Sequence, residues 1–104
     1  MHNKFYQFLG LVKRSGNLIE GYNKCEETIK RQNVYLLLLS KECAHNTKKK
    51  FIKYCDDKSI KIIDDIPKEE LGKALGRNEI NVLCVKDRNM SDRLLNLWNE
   101  CEVI

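Results

Sequence analysis

The run Val34-Tyr-Leu-Leu-Leu-Leu39 constrains the fold more than any other stretch of the chain. Six apolar residues in succession leave no polar face. Such a run suits a central strand covered by helices on both sides. It is far short of the ~20 apolar residues that cross a bilayer, so no membrane partner is expected.

The flanking patterns supply the covering layers. Phe5, Phe8, Leu9 and Val12 fall at i, i+3, i+4 and i+7, one face of a helix that ends near Arg14 or Ser15. Basic Lys13 and Arg14 followed by Gly16 are the residues expected at a helix end. Asn17 to Glu20 reads as a short strand, and Gly21 to Arg31 as a second helix with Cys25 and Ile29 inward. A helix from Asn46 puts Thr47, Phe51, Tyr54 and Cys55 on one face, and Ser59 to Ile63 is a further strand. Pro67 suits a first helical turn, with neighbouring acids that complement the helix dipole. That short helix runs to about Leu75 and stops at Gly76. Ile80 to Val85 is the last strand. Arg88 to Cys101 is a helix with Met90, Leu94, Leu97, Trp98 and Cys101 on one stripe. The order α-β-α-β-α-β-α-β-α predicts the α/β class: a three-layer α/β/α sandwich around a four-stranded sheet, one domain over residues 1–104.

Little in the chain points to catalysis. Gly10 to Gly16 has five residues between its glycines where a phosphate loop has four, with Asn17 where the lysine belongs, and it follows a helix. No GxGxxG, GxSxG or HExxH is present. His2 lies at a terminus, and His45, near Cys43, reads as an exposed loop residue rather than half of a dyad. Asp56-Asp57 and Asp64-Asp65 are adjacent acids that point in different directions, suited to caps and solubility. Cysteines 25, 43, 55, 84 and 101 are odd in number and contain no CxxC. With no apolar export segment at the N-terminus, they read as reduced thiols of a cytoplasmic protein, without a zinc site. No cofactor, enzymatic activity or small-molecule substrate is expected.

Charge is more informative. Net charge is +4, but residues 1–53 carry eleven Lys/Arg against four Asp/Glu, and residues 54–104 carry eight against eleven. A domain with one basic half can bind a polyanion through it, or simply carry an uneven solvated surface. Lys48, Lys49 and Lys50 fan around the solvent side of their helix and read first as a solvated face that adds long-range attraction for phosphates. Lys13, Arg14, Lys24, Lys30 and Arg31, around the second helix, are the preferred phosphate contacts.

Gly16, Gly21 and Asn23, then the LLLL strand, then Glu70-Leu-Gly-Lys-Ala-Leu-Gly76 carry a resemblance that spans roughly Phe5 to Trp98. The chain resembles the ribosomal protein family of large-subunit proteins seven-Ae and thirty-e, the kink-turn RNA binders. The segments KRSGNLIEG, NTKKKF and KEELGKALG look most like its small bacterial single-domain branch, the YlxQ-like proteins. The resemblance implies a mixed sheet and binding of structured RNA, ribosomal RNA above all, through a Gly-x-Asn-Glu-x-x-Lys loop–helix. It also implies a second, apolar loop after the LGxAxG segment that covers a flipped-out nucleotide.

Position by position, Gly21 and Asn23 match, with Tyr22 between them. Lys24 stands in place of the glutamate and Glu27 in place of the lysine, a reversal of charge at both. Lys24 can hold a phosphate or a guanine O6 but cannot accept from guanine N1 or N2. The second loop, with Lys73 before it, is polar Arg77-Asn78-Glu79 rather than apolar; the Arg77 guanidinium offers a stacking surface. The expected function is therefore a non-catalytic, ribosomal or ribosome-associated RNA-binding protein. The alternative is a module that docks on ribosomal or transcription proteins. Related folds precede the catalytic domain of some RNA methyltransferases, but the chain ends about where such a domain would end, and no catalytic half is expected.

Overall fold

The computed structural model describes residues 2–100, and the nine expected elements form in the expected order. They are α1 (Asn3–Arg14), β1 (Leu18–Glu20), α2 (Tyr22–Arg31), β2 (Leu36–Ser40), α3 (His45–Lys58), β3 (Lys61–Ile66), α4 (Lys68–Ala74), β4 (Val82–Val85) and α5 (Arg88–Glu100). The sheet order is β1-β4-β2-β3, with β2 parallel to β3 and the other two pairings antiparallel. The sheet is thus mixed, as the resemblance implies.

The leucine run forms the inner strand β2, and every residue of it from Leu36 to Ser40 is buried. Successive side chains of a strand leave opposite faces, so the run feeds two separate cores. Leu36 and Leu38 pack with Phe5, Leu9, Leu71, Leu94 and Trp98 beneath α1, α4 and α5. Leu37 and Leu39 pack with Cys25, Ile29, Phe51 and Cys55 beneath α2 and α3. Each leucine so buried stabilises the fold by roughly 2 kcal/mol from its removal from water.

Strand β3 begins and ends later than Ser59 to Ile63. Its parallel pairing to β2 runs from Leu36–Lys61 to Ser40–Ile66, with a register shift after Leu38. The ladder draws Asp64 and Asp65 into the strand, although their composition suggests a helix lead-in. They do point opposite ways: Asp64 to Lys48 of α3 at 3.4 Å, Asp65 to the Trp98 indole of α5 at 3.1 Å. Pro67 consequently caps α4 rather than entering it, with extended backbone angles of −61° and 132°, and Glu69 and Glu70 occupy the first turn. Helix α3 starts at His45, one residue before Asn46. Cys101 lies outside the described residues.

Cys25, Cys55 and Cys84 are buried and Cys43 is half-exposed, all four with free thiols. Burial, with Asp56 and Cys84 nearby, pushes the Cys55 thiol up to about 12, so it behaves as a small apolar core group. Among the described residues no helix is long and apolar enough to cross a membrane.

Candidate functional site

Gly21 is the single residue between β1 and α2. Its φ of 101° with ψ of 158° belongs to a region that side chains avoid, which lets the chain turn from strand to helix within one residue. The turn is tied to the sheet by the Gly21 N–H donating to the Val82 carbonyl at 2.9 Å. The Gly21 carbonyl then accepts the first helical bond, from the Cys25 N–H at 3.0 Å. No side chain caps this helix start, so the leading N–H groups of α2 face outward with the positive end of its dipole.

Helix α2 sorts its residues by face. Cys25 and Ile29 enter the core. Asn23, Glu27, Lys30 and Arg31 line an open groove of about 320 Å³ along the outer face. Lys24 is exposed, and among the described residues it forms no ion pair. Arg31 pairs with Glu27 at 3.5 Å, an exposed contact of little energetic weight. Lys30 lies 5.8 Å from the Tyr54 ring centre. Lys30 and Arg31 end the helix, on the order of 12 Å from the Gly21 turn at the rise of an α-helix. They do not join the turn itself.

The inner flank of α2 is clamped by α3. Tyr22 meets Phe51 edge to face at 5.2 Å, and the Lys50 ammonium sits 5.2 Å from the Tyr22 ring centre. Lys50 also ion-pairs with Glu26, which accepts a 2.6 Å hydrogen bond from the Tyr54 hydroxyl. The Lys50 bond, followed by the Tyr54 bond, holds the Glu26 carboxyl below its ordinary range. Lys50 is therefore committed to a neighbour rather than free in a solvated fan. Only the α2–α3 packing reveals this, because 24 positions separate the partners.

The α4–β4 loop brings Arg77 to the same end of the sheet. Arg77 Nε donates to Glu20 Oε1 at 2.7 Å, and Lys13 lies 3.5 Å from Glu20 Oε2 while donating to the Leu75 carbonyl at 2.8 Å. One carboxylate thus joins the end of α1, the end of β1 and the loop. Glu79 turns away to Lys68 at 3.3 Å. A cavity of about 350 Å³ lies between the α2 start and this loop, bounded by Gly21, Tyr22, Thr47, Arg77, Ile80 and Asn81 among others. Asn81 is fixed by the buried Ser40 hydroxyl, which donates to its Oδ1 at 2.6 Å.

The fold therefore brings Gly21, Tyr22 and Arg77 to one cavity, with Asn23 and Lys24 on the turn beside it and Lys13 adjoining through Glu20. Arg14 and Asn78 are exposed on the flanking segments. Lys73 stands elsewhere, in a cleft between α1 and α4 with Tyr6 and Glu70. The local pattern places Thr47 only on one face of its helix and gives no role to Glu20 or Asn81. Their roles come from long-range packing, for which the local pattern has no signal.

The arrangement is an α/β/α sandwich with a glycine-opened helix beside a polar loop at one sheet end. The description "Ribosomal protein L7Ae/L30e/S12e/Gadd45 family" matches residues 3–95, and the chain belongs to that family. RNA-binding protein YlxQ of Bacillus subtilis (strain 168) is 23% identical over 94 residues, covering 90% of this chain and 94% of that protein. A solved structure of a protein with unknown function from Bacillus halodurans C superposes with a TM-score of 0.87 at 30% identity, covering 92% of this chain and 97% of the other.

Proposed function

We propose that the chain is a non-catalytic RNA-binding protein, ribosomal or ribosome-associated, that meets structured RNA with the end where Gly21 opens α2. The observation that carries this is the uncapped helix start with Asn23 and Lys24 exposed upon it, in a chain of this family. Outward N–H groups and a positive dipole end favour phosphates and base acceptors. Asn23 can donate and accept at a base edge, whereas Lys24 only donates. The turn thus selects acceptor-rich features, phosphates and guanine O6, and Lys24 gives it no carboxylate for guanine N1 or N2. Glu27, paired with Arg31, is partly screened from an approaching phosphate.

Gel-shift titration against structured RNA, with and without a kink-turn, tests the reading across a salt series. Binding should tighten as salt falls, each neutralised phosphate steepening the dependence. The double variant Asn23→Ala, Lys24→Ala should lose roughly 2–4 kcal/mol, the sum of a base-edge contact and a phosphate contact, which is thirty-fold or more in affinity. Absence of binding to any structured or ribosomal RNA at low salt overturns the proposal.

A further inference from the structure

A second concavity lies on the other face of the sheet and shares no lining residue with the Gly21 cavity. It encloses about 380 Å³ where α1, the β3–α4 junction and α5 meet, with His2, Asn3, Tyr6, Asp65, Glu70 and Trp98 among its walls. A smaller cleft of about 200 Å³ between α1 and α4 continues it, sharing Asn3, Tyr6 and Glu70 and adding Lys73.

Two kinds of group meet here. The first is aromatic. His2 stacks on Trp98 with ring centres 3.6 Å apart, and its Nε2 lies 3.1 Å from the Trp98 carbonyl. Tyr6 stands edge-on to the same indole at 6.4 Å. The second is anionic. Asp65 accepts the Trp98 indole N–H at 3.1 Å through Oδ1, an arrangement that orients its carboxylate and leaves Oδ2 for another donor. Glu70 is exposed on the first turn of α4. Among the described residues, neither carboxylate forms an ion pair. The negative character of the cleft is felt by Tyr6, whose hydroxyl is pushed up to about 12 by burial, then by Glu70 and Asp65.

We infer that this cleft binds an arginine side chain carried by a basic segment of a partner protein. A guanidinium is planar, sheds its hydration more readily than an ammonium and stacks on aromatic faces. His2 and Tyr6 offer those faces here, because Trp98 is only 6% exposed beneath His2. Its forked donors match a pair of carboxylates, with the Tyr6 hydroxyl as a neutral third acceptor. A phosphate is disfavoured, because it would face Asp65 and Glu70 with Lys73 as the single cation lining the two clefts apart from the His2 imidazole. The two sites share no lining residue, so the inference does not rest on RNA binding.

Trp98 is the only tryptophan in the chain, so its fluorescence reports on this cleft directly. The full chain is titrated with a short unstructured peptide of alternating arginine and serine, with the lysine–serine counterpart, and with spermidine. The arginine peptide should change the emission saturably and bind more tightly than the lysine peptide. Asp65→Asn, which keeps an acceptor for the indole, and Glu70→Gln should each weaken it roughly tenfold or more, the loss of one charge-assisted hydrogen bond. Glu69→Gln, on the same helix but outside the cleft, should leave it unchanged. No response to the arginine peptide overturns the inference, as does full affinity in both Asp65→Asn and Glu70→Gln. Equal affinity for spermidine also overturns it, in favour of a polyamine site. RNA affinity should be the same in Glu70→Gln, which separates this result from the fate of the RNA reading.

Discussion

Gly72→Ala should destabilise the protein by about 3 kcal/mol and lower its melting temperature by roughly 10–20 °C. A methyl group added at this position would stand 2.6 Å from the Glu79 Cα, 2.7 Å from the Glu79 nitrogen and 2.8 Å from the Asn78 carbonyl carbon. All three atoms are backbone, so no side chain can swing aside. The helix cannot yield easily either, because Leu71 and Leu75 on either side of Gly72 are buried in the core. The loop is held as firmly. Its Arg77 N–H donates to the Gly72 carbonyl at 2.8 Å and its Ile80 N–H to the Lys68 carbonyl at 3.3 Å. Calorimetry of the variant measures the cost; a melting temperature within a few degrees of wild type would contradict the close approach. The contact also positions Arg77, so the variant should lose RNA affinity even at temperatures where it is folded.

Phe51→Ala should cost about 3–5 kcal/mol, the range for deleting a fully buried aromatic side chain. Phe51 is 0% exposed and stands between Tyr22 at 5.2 Å and Tyr54 at 5.8 Å, both edge-on. Its removal opens a cavity in the core shared by α2 and α3 and takes the support from the ring that begins α2. Urea titration should show an earlier midpoint with an unchanged slope, and Phe51→Leu should recover more than half of the loss. A midpoint for Phe51→Ala equal to wild type would show that α2 is anchored by other contacts. RNA binding should weaken in parallel, because Asn23 and Lys24 ride on the turn that Tyr22 fixes.

Much of this architecture is legible in the chain because each element is announced locally. The doubly apolar Leu36 to Leu39 predicts a strand between two helical layers, and its alternate leucines do divide between two cores. The stripes of α1 and α5 and the positions of Gly16 and Gly76 mark helices without knowledge of their neighbours. Strand β3 is less legible, since Asp64 and Asp65 become strand residues only through the ladder to β2. Locally they resemble a helix lead-in. The site divides in the same way. Gly21 and Asn23 stand out through a short motif, whereas Ser40–Asn81, Glu26–Lys50 and Glu20–Arg77 join residues 24 to 57 positions apart. The charge balance of a segment does not reveal such pairings. The +7 of residues 1–53 already subtracts Glu20 and Glu26, but it does not tell which cations those acids occupy.

Glu20 makes the point concrete. With its side chain only 14% exposed, it pairs with both Lys13 and Arg77 and offsets one of their two charges. A phosphate reaching Arg77 must exchange partners with a carboxylate rather than settle on a bare cation. Such an exchange still releases a counterion from the nucleic acid, but the freed Glu20 carboxylate takes up a cation in turn, so the net release is small. The salt sensitivity of binding should therefore follow Lys24 and Arg14 more closely than Arg77. Arg77 holds the loop to β1 first, and on the proposed reading it receives an anion only by giving up that contact.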